Sequence, residues 1–319
     1  PGSPDGIDLL GGAISHLVAQ EIAREVVRHH HAIVDVIQIR QMSEMLSRPL
    51  RFAPLQAKHS GRCIGHRSLA VNLSDLAAMG AEPAWALLGL TLPAADESWL
   101  AEFAGGFDQL ARRFGVALVG GDTTRGPLAA TVTVGGWVPS GAALTRSGAR
   151  PGDELWISGT PGDAGAGLAI LQSRLAAGSA AREELLRRFL LPEPRVSLGL
   201  ALRGIASACI DISDGLAGDL AKLCRASGVG ARLDCPRLPR SRQLIEAAGE
   251  QASMRYALSG GDDYELLFTA PAASGSRIEN LARLTPVSRI GEITATPGMQ
   301  LQGAGPERDL VHGFDHFTD

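Results

Sequence analysis

From about residue 64 onward, apolar positions along the chain switch repeatedly between helical and strand spacing. Residues 65–79 carry apolar side chains at helical intervals and stop at Gly80, a residue suited to follow a helix. Residues 85–92 form an apolar run of strand length that Pro93 ends, and 98–113 read as a second helix. The strand 116–119 runs into a Gly-Gly-Asp turn, and 130–138 alternate β-branched and small residues as a strand does.

After the turn Arg150-Pro-Gly-Asp153 a second series begins. It contains strand 154–158, helices 163–177, 181–190 and 196–207, and strand 208–212. Helix 214–226 and strands 229–234 and 264–269 follow, with a mixed tail. Such alternation predicts α/β or α+β domains. The pattern divides the chain into an atypical segment 1–63, an N-terminal domain 64–150 and a C-terminal domain 151–319. In the first segment only a helix near 13–28 stands out, and the run His29-His30-His31 reads first as a solvated patch.

Bulk composition narrows the class. A chain of 319 residues suffices for two cores, and 45% apolar with 20% charged residues fits a soluble globular protein. A net charge of -4 gives no electrostatic reason to bind nucleic acid or an anionic membrane. No apolar run has the roughly 18 residues of a membrane span, and no export signal is visible, so a cytoplasmic address is expected. Cys63, Cys209, Cys224 and Cys235 form no CxxC pair and read as reduced, mostly buried thiols. Lys58 and Lys222 are the only lysines, so bound phosphate would depend on arginine, backbone amides or metal.

Four acidic positions then carry the chemistry. Ser68, Asn72 and Asp75 share one face of the first helix, whose other positions are mostly apolar. A carboxylate on so narrow a stripe needs a partner if buried; a cation or an arginine would serve, so Asp75 is either a metal ligand or a structural hydrogen-bonder. In Gly120-Gly121-Asp122-Thr123-Thr124-Arg125-Gly126 the glycines let backbone amides approach a phosphate, and Asp122 offers a hard oxygen. A capped glycine turn is the plainer alternative. In Ile210-Asp211-Ile212-Ser213-Asp214-Gly215, Ser213 or Asp214 would explain an N-cap, but a cap leaves Asp211 unexplained. Two carboxylates at a strand-to-helix corner make half of a magnesium site. Last comes Ser259-Gly260-Gly261-Asp262-Asp263-Tyr264-Glu265, where alternation would put Asp263 and Glu265 on one face and Tyr264 on the other. No Walker loop, protein-kinase set, GxSxG, HExxH or Rossmann glycine motif is present.

The motifs resemble those of the thiamine-monophosphate kinase family, a branch of the aminoimidazole ribonucleotide synthetase superfamily. The resemblance rests on LAVNLSDLAAMG (69–80), GGDTTRG, LTRSGARPGD (144–153), SGTPGD (158–163), IDISDGL, SGGDDYEL and the terminal GFDHF, in family order over residues 64–319. It implies a two-domain α/β (α+β) fold and a homodimer. It also implies ATP-dependent, Mg²⁺-dependent conversion of thiamine phosphate to thiamine diphosphate by in-line transfer. Asp75, Asp122, Asp211 and Asp214 are then the implied metal ligands, with Asp122 and Asp211 central to catalysis. Gly121, Arg146 and Ser213 are the implied nucleotide contacts, and Asp262 and Phe314 the implied substrate contacts. The family normally has Glu at Asp262. Its N-terminal Gly-Asp-Asp and Ser-Thr-Asp-Thr motifs are absent from residues 1–63, where His29-His30-His31 and Glu44-Met-Leu-Ser47 stand instead.

Overall fold

The computed structural model describes residues 60–303 and, upstream of them, the backbone of one strand, Val34–Met42. The chain divides into two compact units, 1–72 with 82–141, and 73–81 with 142–319.

The first unit holds a four-stranded sheet of β1 (Val34–Met42), β2 (Glu82–Leu92), β3 (Ala117–Arg125) and β4 (Ala129–Pro139), in the order β1-β4-β2-β3. Pairing is antiparallel except between β2 and β3, which run parallel. Strand β1 corrects the expectation that little regular structure lies before residue 64. The projected helix near 13–28, the histidine run and Glu44–Ser47 lie outside the described residues.

Two helices accompany this sheet, α1 (Gly61–Ala78) and α2 (Glu97–Phe114). Helix α2 starts where Asp96 accepts the Trp99 N–H at 3.1 Å and ends at left-handed Gly115. Its apolar stripe buries Phe103, Phe107 and Leu110. Two glycines inside a helix cost about 1 kcal/mol each relative to alanine. Gly106 has a packing reason, because a Cβ there would lie 2.0 Å from the Arg62 carbonyl of α1. Gly65 makes the reciprocal approach to the Phe103 carbonyl.

The expected Gly-Gly-Asp turn is instead strand: β3 continues through Arg125 and pairs residue by residue with β2 up to Leu92. A register shift between Ala86 and Leu87 brings Gly121 so close to β2 that a Cβ would lie 1.8 Å from the Leu88 carbonyl oxygen. Glycine is therefore a strand residue here, required by backbone approach.

The second unit is built on a six-stranded sheet. Its strands are β5 (Asp153–Ser158), β6 (Ala208–Asp211), β7 (Gly230–Asp234), β8 (Leu266–Pro271), β9 (Val287–Thr294) and β10 (Gly298–Gln302). Their order is β10-β7-β9-β5-β8-β6, with only β10 and β7 parallel. Helices α3 (Asp163–Leu171), α4 (Ser179–Leu190), α5 (Val196–Leu202), α6 (Leu216–Ser227), α7 (Arg242–Ser259) and α8 (Gly275–Glu279) complete it. Leu155, Ile157, Ile210, Leu267 and Ile290 of the sheet pack with Leu216, Leu220 and Leu223 of α6 in one apolar core. A second cluster joins α3, α4 and α7 through Ala166, Ile170, Leu185 and Leu244. Cys209, Cys224 and Cys235 are buried free thiols and Cys63 is half-buried, as the sequence suggests.

Candidate active site

Asp211 ends β6 and is almost wholly buried. Its Oδ2 accepts a 2.8 Å hydrogen bond from Ser74 Oγ, and Ser74 itself is inaccessible. The next residue on α1, Asp75, has an Oδ2 that is buried without a hydrogen-bond partner among the described residues. Burial first, then the charge of Asp211, pushes the Asp75 carboxyl up to about 8 against the pull of Arg146. Burial likewise lifts Asp211 to about 6, although the Ser74 hydrogen bond opposes the rise. The sequence question at Asp75 thus resolves toward an under-compensated carboxylate beside another one. A hard divalent cation suits that pair, because such an ion commonly takes one or two carboxylates and completes its shell with water and phosphate oxygens. In keeping with that partial donor set, no group of three or more His, Cys, Asp and Glu among the described residues is arranged to hold a metal.

Arg146 belongs to the segment that lies alongside β6. The preceding carbonyl, of Thr145, accepts the Cys209 N–H at 2.8 Å, and the Arg146 carbonyl accepts from Ser227 Oγ at 3.0 Å. Its charge acts on both Asp75 and Asp211, so three of the sequence candidates come together here.

The corner after β6 is organised by a residue that sequence reasoning passed over. Neither Ser213 nor Asp214 caps α6; the N-cap is Gly215, without a side-chain cap. Asp219, one turn into the helix, reaches back instead. Its Oδ2 accepts the N–H groups of Ser213 and Asp214 at 2.9 and 3.0 Å. Lys222 Nζ then donates to Asp219 Oδ1 at 2.8 Å and to Asp214 Oδ2 at 2.5 Å. The i, i+3 pair of Asp219 and Lys222 was visible in the sequence as an acidic-basic couple on one helix face.

The Gly260-Gly261 loop zips onto that corner. Asp262 N–H donates to the Ser213 carbonyl at 2.9 Å, Tyr264 N–H to that of Ile212 at 2.8 Å, and Ile212 N–H to that of Glu265 at 2.8 Å. Residues 262–265 precede β8 and are not extended strand, since Asp262 and Tyr264 have positive φ values of 62° and 52°, yet Asp263 and Glu265 both lie within the field of Arg188. Asp262 is buried and accepts from Tyr264 Oη at 3.3 Å. Asp263 accepts the N–H groups of Gly162 and Ala164 at the start of α3. Glu265, fully buried, receives Arg188 at 2.6 Å, Arg195 at 2.5 Å and Ser158 Oγ at 2.5 Å. Burial alone would raise its carboxyl, but the two guanidiniums and Ser158 hold it at about 2.

Gly121 and Asp122 lie on β3 of the first unit. Asp122 is exposed, and its Oδ1 accepts the Thr123 N–H at 2.8 Å. Phe314 lies outside the described residues.

Comparison with known proteins adds to this geometry. The family model for AIR synthase related protein, N-terminal domain, matches residues 30–138, and that for the C-terminal domain matches 150–304. Thiamine-monophosphate kinase of Salmonella typhimurium is 46% identical over 264 residues, 80% of each chain. The chain belongs to the thiamine-monophosphate kinase family. A crystal structure of the family from Stenotrophomonas maltophilia K279a superposes with a TM-score of 0.77 at 42% identity, covering 86% of this chain and 87% of the other. The structure described as AaThiL complexed with AMPPCP and TMP matches at a TM-score of 0.74 and 26% identity, over 99% of this chain and 100% of that one. The two-domain architecture of the AIR synthase type, expected from the motif resemblance, is thus the fold of this family member. Among the described residues no helix is long and apolar enough to cross a membrane.

Proposed function

We propose that this protein transfers the terminal phosphoryl group of ATP to the phosphate of thiamine phosphate, giving ADP and thiamine diphosphate. A phosphate oxygen of thiamine phosphate forms the new P–O bond as the bond to ADP breaks, with no covalent enzyme intermediate. The observation that carries this reading is the buried Asp75–Asp211 pair, with one carboxylate oxygen unpartnered. Such a pair is stable in its charged form only beside a cation. Family membership supports the choice of nucleotide and acceptor.

Mg²⁺ is the cation that suits these oxygens. Asp75 and Asp211 would hold it, with Asp214 of the β6–α6 corner as a further ligand in this reading, and it would neutralise phosphate charge. Arg146 and Ser213 are the nucleotide contacts in this reading, and Asp262 and Phe314 the thiamine phosphate contacts. Within the first unit, Asp122 is a metal ligand and Gly121 a nucleotide contact. A homodimer belongs to the same proposal. It is supported by β3, which pairs on one side only among the described residues, and by the exposed Leu87 and Leu118.

The test is thiamine diphosphate formation by the 319-residue chain with ATP, Mg²⁺ and thiamine phosphate. Turnover abolished by Asp211→Asn or Asp122→Asn supports the reading; normal turnover in either variant refutes that site assignment. A second reading is favoured by the missing Gly-Asp-Asp and Ser-Thr-Asp-Thr motifs in residues 1–63. It is a family member that binds nucleotide and turns over poorly. Calorimetric binding of a non-hydrolysable ATP analogue without product formation would select it.

A further inference from the structure

We infer that Lys222 is the resident counter-cation of Asp214 and competes with the divalent cation for that carboxylate. The inference rests on the reading of Asp214 as a metal ligand. Lys222 lies on α6 with its Nζ 2.5 Å from Asp214 Oδ2 and 2.8 Å from Asp219 Oδ1. The three carboxylates read as ligands are therefore not equivalent. Asp75 has an unpartnered oxygen, Asp211 is served by a neutral hydroxyl, and Asp214 already has a full positive charge against it.

Two features make the Lys222 contact exchangeable. Its side chain is 39% exposed, so the ammonium has water to turn to when Asp214 is taken over. It also keeps an anchor, because Asp219 is 1% exposed and fixed by two backbone N–H groups. Lysine is an ammonium at neutral pH, so the contact to Asp214 is an ion pair. Cation arrival at Asp214 is thus an exchange: the ion gains one carboxylate oxygen, and Lys222 retains its bond to Asp219 while its other donors meet solvent. Before the ion arrives, the clamp holds Asp214 in place and compensates its charge.

The experiment titrates the full-length chain with Mn²⁺ alone and reads free Mn²⁺ by electron paramagnetic resonance. Lys222→Met removes the competitor and should tighten Mn²⁺ binding by roughly five- to ten-fold, the scale of a half-exposed ion pair. Lys222→Arg retains the charge and should bind as wild type does. The gain should disappear when Lys222→Met is combined with Asp214→Asn, since the competition is for that carboxylate. Unchanged or weaker binding by Lys222→Met overturns the inference, as does a gain that persists with Asp214→Asn. If Asp211→Asn still removes Mn²⁺ binding in that event, the metal reading survives the loss of this one. No binding by the wild-type chain overturns both. Lys222→Gln, checked for native circular dichroism, repeats the measurement if the Met variant does not fold.

Discussion

Ser74 Oγ donates a 2.8 Å hydrogen bond to Asp211 Oδ2, joining residues 137 positions apart in the chain. The bond fixes the rotamer of a carboxylate that has almost no contact with water, and it does so from the residue next to Asp75. One turn of helix α1 therefore supplies both the carboxylate proposed as a ligand and the group that positions its counterpart.

Ser74→Ala should leave the fold intact and loosen Asp211. Losing one hydrogen bond to a buried charged group costs about 1–3 kcal/mol. The expected result is a several-fold increase in the Mg²⁺ concentration needed for half-maximal activity, with the KM for thiamine phosphate much less affected. Equal Mg²⁺ dependence in variant and wild type would show that the hydroxyl has no positioning role.

Asp75→Asn should separate stability from activity. Without a cation, the amide replaces a buried carboxyl that must either repel Asp211 or take up a proton far above its ordinary range, so the metal-free protein should gain about 1–3 kcal/mol against urea. Phosphotransfer should fall by at least about 100-fold, roughly 3 kcal/mol of lost transition-state stabilisation. A metal-free variant less stable than wild type would contradict the electrostatic account of this pair.

Glu265 predicts an acid-labile step. Its folded value of about 2 lies below the ordinary glutamate value near 4.3, so its stabilising contribution is present above the unfolded value and is lost as pH falls through about 2. The difference corresponds to about 3 kcal/mol. Urea unfolding of wild type between pH 5 and pH 2 should show that loss, and Glu265→Gln should lack it while being less stable throughout. Parallel pH profiles for the two proteins would exclude Glu265 as the source.

Gly121→Ala tests the backbone approach in the first unit. A methyl group 1.8 Å from the Leu88 carbonyl oxygen forces β2 and β3 apart. Overpacking of this kind costs about 1–3 kcal/mol, which should appear as a lower melting temperature. Wild-type thermal stability would mean that the strands can part freely at this point.

Much of the site could be read from the chain because its parts are local. Asp75 announced itself as a carboxylate on an apolar helix, and Asp211 as the residue that no cap could explain. What escaped was decided by backbone conformation or by distant partners. The glycine pair before Asp122 reads as a turn, and only the Leu88 carbonyl explains why it is strand. The run from Asp262 to Tyr264 reads as the entry to a strand, but Asp262 and Tyr264 adopt left-handed backbone that no side-chain pattern signals. Ser74 is silent in the sequence because its partner lies in another motif. Helix α7 was hidden partly by Gly249, whose φ of 77° breaks it, and β9 and β10 by their mixed polarity.

The clamp at Asp214 has a practical side that follows from composition. Lysines number only two in the chain, and Lys58 lies outside the described residues, so Lys222 is a nearly unique amine. Its nitrogen is occupied by two carboxylates, which makes it a slow nucleophile toward acylating reagents while the clamp is closed. Release from Asp214 hastens that reaction. A single labelled peptide, followed by mass spectrometry, thereby becomes an intrinsic gauge of whether the corner holds its own ammonium or a visiting ion.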